Sequence, residues 1–191
     1  LNDVGSPKSF PVENSRLKTA KPDDFQKVPG SPVAYWVSEN LRDIFAADTP
    51  LGVIAKPRIG MRTGNNEKYL RRWYEVSASK SCFTAMSASD GVNSRAKWFP
   101  YQKGGEFKKW YGNLEYVVNW FDDGDEIKTE TLLNYPQLTR ENLGWKISNE
   151  SYFFRRGITW TATSSSYFGV RLTESGCLFD VKGSFAIPEL D

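Results

Sequence analysis

The last third of the chain is broken into apolar runs too short for helices, each closed by a turn signal. Tyr152-Phe-Phe154, Ile158-Thr-Trp-Thr161, Tyr167-Phe-Gly-Val170 and Cys177-Leu-Phe-Asp-Val181 are rich in β-branched and aromatic residues, the composition of strands. Strands this short cannot bury an apolar face alone, so they commit the chain to a sheet. Tyr116-Val-Val-Asn-Trp-Phe121 and Trp73-Tyr-Glu-Val76 read the same way. Helical spacing occurs in Val33–Ala46, where Val37, Leu41, Ile44 and Phe45 fall at i, i+4, i+7 and i+8 before Asp48-Thr-Pro50 ends the pattern. A shorter helix through Tyr69-Leu-Arg71 has Asn65 or Asn66 as its cap. Ser77–Ser94 fits either a loop or a pair of small-residue strands. The sum is an α+β chain: a single mixed domain of short strands with a few helices.

Residues 1–33 are polar and punctuated by Pro7, Pro11, Pro22, Pro29 and Pro32, which predicts an extended connector without a helix. Residues 34–191 then form the folded domain, and a 191-residue chain suits one domain of that size. The sequence starts at Leu1 without Met and stops at Asp191, the expectation for a fragment of a larger polypeptide.

The chain contains no histidine. That excludes Ser-His-Asp and Cys-His triads, histidine metal sites and imidazole acid–base catalysis. Cys82 and Cys177 are far apart and match no metal-ligand spacing. With no leader-like run and no membrane-length apolar segment, the reading is a cytoplasmic protein with two inert thiols and no membrane partner. The acidic run Asp122, Asp123, Asp125, Glu126 lacks the oxygen-ligand spacing of a calcium loop and reads as a solvated hairpin turn. No metal and no catalytic set is expected.

Net charge is only +2, so any basic footprint must be local. Two segments supply one. Lys56–Arg72 holds six basic residues against Glu67, around the loop Gly60-Met-Arg-Thr-Gly-Asn-Asn66. That loop lacks the spacing and terminal Lys-Ser/Thr of a P-loop and is not GxGxxG. It suits either nucleic-acid phosphates or a structural turn with solvated arginines. Lys97-Trp-Phe-Pro-Tyr-Gln-Lys-Gly-Gly-Glu-Phe-Lys-Lys-Trp-Tyr-Gly112 interleaves six aromatics with four lysines. Rings beside lysines fit base stacking and phosphate contact, and equally fit a core whose lysine stems lie along aromatic surface.

Five ordered blocks resemble one family. Phe25-Gln-Lys-Val-Pro-Gly-Ser-Pro-Val-Ala-Tyr-Trp-Val37 is similar to a segment past the catalytic domain of PglX-type adenine-specific DNA methyltransferases, from BREX phage-defence systems and related to single-chain restriction–modification enzymes. Gly60–Asn66 with Leu70-Arg71 resembles the G-x-x-T-G-D/N-N loop that opens their target-recognition region. Lys97–Tyr101, Lys103–Glu106, Lys109–Asn113 and Val118-Asn-Trp120 resemble the following blocks, then Gly157–Thr161 and Phe179–Ser184. The family's Asn-Pro-Pro-Tyr motif and Gly-rich cofactor loop are absent.

The resemblance therefore implies a recognition module without the catalytic domain, non-catalytic by itself, inside a parent that uses S-adenosylmethionine. It implies double-stranded DNA as partner, with other phage-defence subunits possible. Candidate DNA contacts are Arg58, Arg62, Thr63, Asn65, Asn66 and Arg71 in the first segment, and Lys97, Lys103, Lys108 and Lys109 in the second. It further implies that Trp98, Phe99 and Trp110 build the frame, that Lys103-Gly-Gly105 turns beside DNA, and that the lysines face phosphate. A protein-interaction module of a defence complex is the alternative.

Overall fold

The computed structural model describes residues 18–188, apart from 48 and 164–166. They fall into two compact units, one up to Val53 and one from Ile54.

In the first unit, helix α1 (Pro22–Gln26) stands where the proline-rich stretch predicts none. Pro22 occupies the first turn, where its missing N–H is harmless, and the Asp24 carboxylate accepts the Lys21 N–H at 3.0 Å. Residues 1–17 of the expected connector lie outside the described residues. Helix α2 (Glu39–Ala47) confirms the helical spacing but starts later than Val33. Ser38 Oγ accepts the Leu41 N–H at its start. Ion pairs Lys27–Asp43 at 3.0 Å and Arg42–Asp24 at 3.9 Å join α1 to α2. One more turn, α3 (Leu51–Ile54), follows Pro50.

The second unit holds two four-stranded sheets. In chain order its elements are β1 (Pro57–Arg58), α4 (Asn66–Tyr69), β2 (Leu70–Arg72), α5 (Ala88–Ser94), β3 (Trp98–Gln102), β4 (Tyr116–Asn119), α6 (Phe121–Asn134), β5 (Gly157–Thr161), β6 (Val170–Thr173), β7 (Leu178–Phe179) and β8 (Gly183–Ala186). One sheet runs β1-β8-β5-β6, all antiparallel; the other runs β2-β4-β3-β7, with β7 parallel to β3. The turn from β7 to β8 carries the chain from one sheet to the other. Aromatic rings fill the core: Phe153 meets Trp120 and Phe179 edge-on, and Phe179 stacks on Phe185 at 4.7 Å. The α+β class expected from the strand pattern is the observed one.

Several elements differ from the sequence reading for definite reasons. Trp73–Glu75 is a 3-10 turn, not a strand, because the Glu75 carboxylate accepts the Arg72 N–H and closes it. Tyr152–Phe154 is likewise no strand. A 3-10 turn covers Glu150–Tyr152, after which Phe153 and Phe154 drive into the core. Ser77–Ser94 is neither a bare loop nor a strand pair: Ser87 accepts the Asp90 N–H and caps α5. The short helix predicted through Arg71 stops at Tyr69, and Leu70 and Arg71 enter β2.

The acidic run is the largest correction. Instead of a hairpin turn it opens α6: Asp122, Asp123 and Gly124 take left-handed backbone before the helix proper. Asp tolerates that region better than most residues, and a β-carbon at Gly124 would strike the Trp120 ring at 2.5 Å. Further along, Lys68 pairs with Glu126 and Glu130 and the Tyr69 hydroxyl lies 2.7 Å from Glu130, tying α6 to α4.

Candidate nucleic-acid interface

Three loops meet where the sheets join. Gly60 lies against the Phe179 backbone so tightly that a β-carbon there would sit 1.7 Å from the carbonyl oxygen. The approach lets Met61 N–H donate to Phe179 O at 3.0 Å and Gly60 N–H to Asp180 O at 3.3 Å. The second loop follows β3. Asp180 N–H donates to Gln102 O at 2.9 Å, and a β-carbon on Gly104 would meet Lys182 O at 2.7 Å. The third is the β7–β8 turn itself, closed by the Lys182 N–H donating to Asp180 Oδ1 at 2.8 Å.

Asp180 is the hub of this junction and is only 5% exposed. Its Oδ2 lies 2.9 Å from the Tyr101 hydroxyl, which is also 3.1 Å from Met61 O. Burial, followed by the Asp180 charge, raises the Tyr101 phenol well above its ordinary value. Lys103 Nζ stands 3.6 Å from the same carboxylate oxygen.

The loops enclose a groove of about 320 Å³ lined by Arg62, Thr63, Gly64, Asn66, Lys103, Asp180, Val181 and Lys182. Three cations thus face one carboxylate, and that carboxylate is turned inward. Arg62 Nη1 donates to Trp145 O at 3.0 Å, which steadies the guanidinium and leaves its other nitrogens available. Thr63 Oγ1 donates to Asn66 Oδ1 at 2.6 Å. That leaves the Asn66 amide nitrogen as donor. Such a set, cationic and rich in donors, suits anionic oxygens and base edges.

The candidates separate by place. Arg62, Thr63, Asn66 and Lys103 come together in the groove. Asn65 caps α4, its Oδ1 accepting the Lys68 N–H at 3.1 Å. Arg58 lies 3.6 Å over the Tyr152 ring and donates to its hydroxyl. Arg71 donates to Glu67 O and Leu70 O, and with Lys97 flanks the Trp98 ring at 5.8 and 5.5 Å. Lys97 also borders a cavity lined by Asp122, Asp125 and Glu126, an acidic setting. Lys108 and Lys109 lie on the exposed loop after Gly105. Sequence reasoning missed Lys182 and Asp180, although the turn pattern Asp-Val-Lys-Gly was visible in Phe179–Ser184.

Trp110 also departs from expectation. Phe99 is buried and Trp98 half-buried, as a frame requires, but Trp110 is 72% exposed. Its backbone, at φ +73°, bonds to β6 through Trp110 N–H to Val170 O and Leu172 N–H to Trp110 O.

The groove does not fit a nucleoside cofactor. A ribose diol is usually gripped by a free carboxylate, and Asp180, the one acid lining the groove among the described residues, is buried and already bonded. Among the described residues, no cluster of His, Cys, Asp or Glu is placed to hold a metal ion, and no helix is long and apolar enough to cross a membrane.

No family model matches the chain. Over 181 aligned positions it is 40% identical to the adenine-specific methyltransferase PglX of Lacticaseibacillus casei (strain Zhang), covering 92% of this chain and 14% of that protein. Over 168 positions it is 36% identical to the adenine-specific methyltransferase BrxX of Escherichia coli O9:H4 (strain HS), covering 88% of this chain and 12% of that protein. The chain is homologous to a short segment of these methyltransferases.

Proposed function

From that homology as premise, we propose that this chain is a sequence-specific DNA target-recognition module of an adenine-specific DNA methyltransferase in a phage-defence or restriction–modification system, without the catalytic domain. The recognition domain is residues 34–191, preceded by the connector 1–33, and its groove lies wholly in the unit from Ile54. The observation that carries this reading is the convergence of Arg62, Asn66, Lys103 and Lys182 on one groove from three separate loops. A methyltransferase that extrudes its target adenine needs another surface to hold and identify the flanking duplex. Lys103 and Lys182 act on phosphates and fix register; Arg62 and Asn66 are the groove's side chains able to read guanine or adenine edges. S-adenosylmethionine belongs to the parent enzyme's catalytic domain. The protein as a whole acts in the cytoplasm, where its DNA substrate is.

The experiment is a segment exchange. Residues 54–188 replace the corresponding segment of a related adenine-specific methyltransferase, and methylated sites are mapped across a genome. The expected result is an active enzyme with a changed target sequence. An active enzyme with its original target overturns the reading.

A second reading, a protein-interaction module of a defence complex, has one observation in its favour. An apolar groove of about 450 Å³ lies beside β3 and β4, with Trp73, Phe83, Tyr111 and Leu172 among its lining residues. Retention of a defence subunit after nuclease treatment, together with no duplex binding, favours it.

A further inference from the structure

The loop 106–113 is built to hold rings in solvent. Asn113 Nδ2 donates to Glu106 O at 3.0 Å and closes it. Beneath it lies Arg171, 1% exposed, whose Nη1 donates to Lys108 O at 3.3 Å and whose Nη2 donates to Thr161 Oγ1. Gly169 is pressed so close that a β-carbon would meet Lys108 O at 2.5 Å and the Phe107 ring at 2.9 Å. The backbone bonds of Trp110 to β6 fix the other side. So anchored, the loop still leaves Trp110 72% and Tyr111 69% exposed, beside Tyr167 at 81% and Phe168 at 71%. Phe107 and Tyr167 face each other at 6.3 Å between centroids, 63° apart.

The charge around these rings selects the ligand. Lys108 and Lys109 have no carboxylate partner among the described residues, and Lys109 Nζ sits 4.8 Å from the Trp110 ring. Among the described residues, the Arg171 Nε is buried without a hydrogen-bond partner. Protein–protein hot spots are rich in aromatics but poor in lysine. Surfaces that track single strands alternate lysines with rings, because each nucleotide brings one phosphate and one flat base.

We propose that the loop 106–113, with Tyr167 and Phe168, is a stacking platform for an unpaired nucleobase of DNA, Lys108 and Lys109 holding the adjoining phosphates. This rests on the DNA-recognition reading and deepens it. Extruding an adenine from a duplex leaves its partner base unpaired, which is one source of such a base.

The test uses the 191-residue chain with three probes of equal length in fluorescence anisotropy. They are a duplex, a thymidine single strand and an abasic single strand with the same phosphates. One stacked base makes the thymidine strand bind about ten-fold tighter than the abasic strand. Trp110→Ala abolishes that preference, Trp110→Phe keeps it, and neither alters duplex affinity by more than about two-fold. Equal binding of the thymidine and abasic strands overturns the platform, since phosphates alone then explain binding. So does a preference that survives Trp110→Ala. Duplex binding without strand binding overturns the platform and leaves the recognition reading standing; failure of all three probes overturns both.

Discussion

Replacing Gly60 with Ala tests how the groove is held together. The new β-carbon would fall 1.7 Å from the Phe179 carbonyl oxygen, where ordinary contact needs 3.4 Å, so the two backbones must part by about 1.7 Å. That movement breaks the Met61 N–H to Phe179 O and Gly60 N–H to Asp180 O bonds, a loss of about 1 kcal/mol each. Overpacking against the stacked Phe179 and Phe185 rings adds about 1–3 kcal/mol. The sum, about 3–5 kcal/mol, is a large part of the stability of a domain this size. Gly64 is the matched control on the same loop. A β-carbon there meets nothing within 4 Å, and only its φ of +75° opposes it, at about 1–2 kcal/mol. Urea unfolding followed by tryptophan fluorescence measures both. Gly60→Ala should fall well below Gly64→Ala in midpoint with a similar slope. Equal midpoints would refute the argument that close packing of Gly60 on Phe179 holds the site.

Two further outcomes separate framework from interface. Asn65→Ala removes the α4 cap and should lower stability by about 1 kcal/mol, while duplex affinity under folding conditions stays within about two-fold; a large loss of affinity would make Asn65 a DNA contact. Lys68, then Tyr69, hold the Glu130 carboxyl below its ordinary 4.5. The ionised form is the one the fold favours, so its stabilisation is complete above that value and fades as pH falls through the lower folded one. Glu130→Gln should therefore reduce the slope of acid destabilisation below about pH 4.5; an unchanged acid limb in pH-dependent urea titrations would contradict the Lys68–Glu130 link.

How much of this could be read in the sequence depended on whether the cause was local. Strands in Tyr116–Phe121 and Ile158–Thr161 were legible because each holds a run of β-formers bounded by turns, though the first ends at Asn119. A cap at Asn65 or Asn66 was legible because its partner is local, and Asn65 is the one that caps. α6 was not, because Asp122-Asp-Gly-Asp-Glu126 has the composition of a turn. Its left-handed start includes Gly124, where a β-carbon would strike the Trp120 ring, a contact that composition does not reveal. Trp73–Glu75 and Tyr152–Phe154 had strand-like residues, but a side-chain bond and the pull of the core decided otherwise. In the site, Arg62, Thr63, Asn66 and Lys103 stood out as basic or donor residues near glycines. Lys182 lies far along the chain from Arg62, and the bonds from Gly60 and Met61 to Asp180 and Phe179 at the base of the β7–β8 turn bring the two loops together. The family resemblance made Trp110 part of the frame. Its exposure follows from backbone bonds to β6, which no ring count reveals.

The salt dependence of duplex binding shows whether the groove's lysines meet DNA phosphates. If Lys103 and Lys182 each meet a phosphate, the log of affinity should fall with the log of salt at a slope of about −1.8, roughly −0.9 per contact. Anisotropy titrations across a range of salt concentrations, on the chain and on Lys182→Ala, give both slopes. Duplex binding at low salt and a slope shallower by about 0.9 in Lys182→Ala are the expected results. An unchanged slope in that variant, or no duplex binding at low salt, would contradict those phosphate contacts.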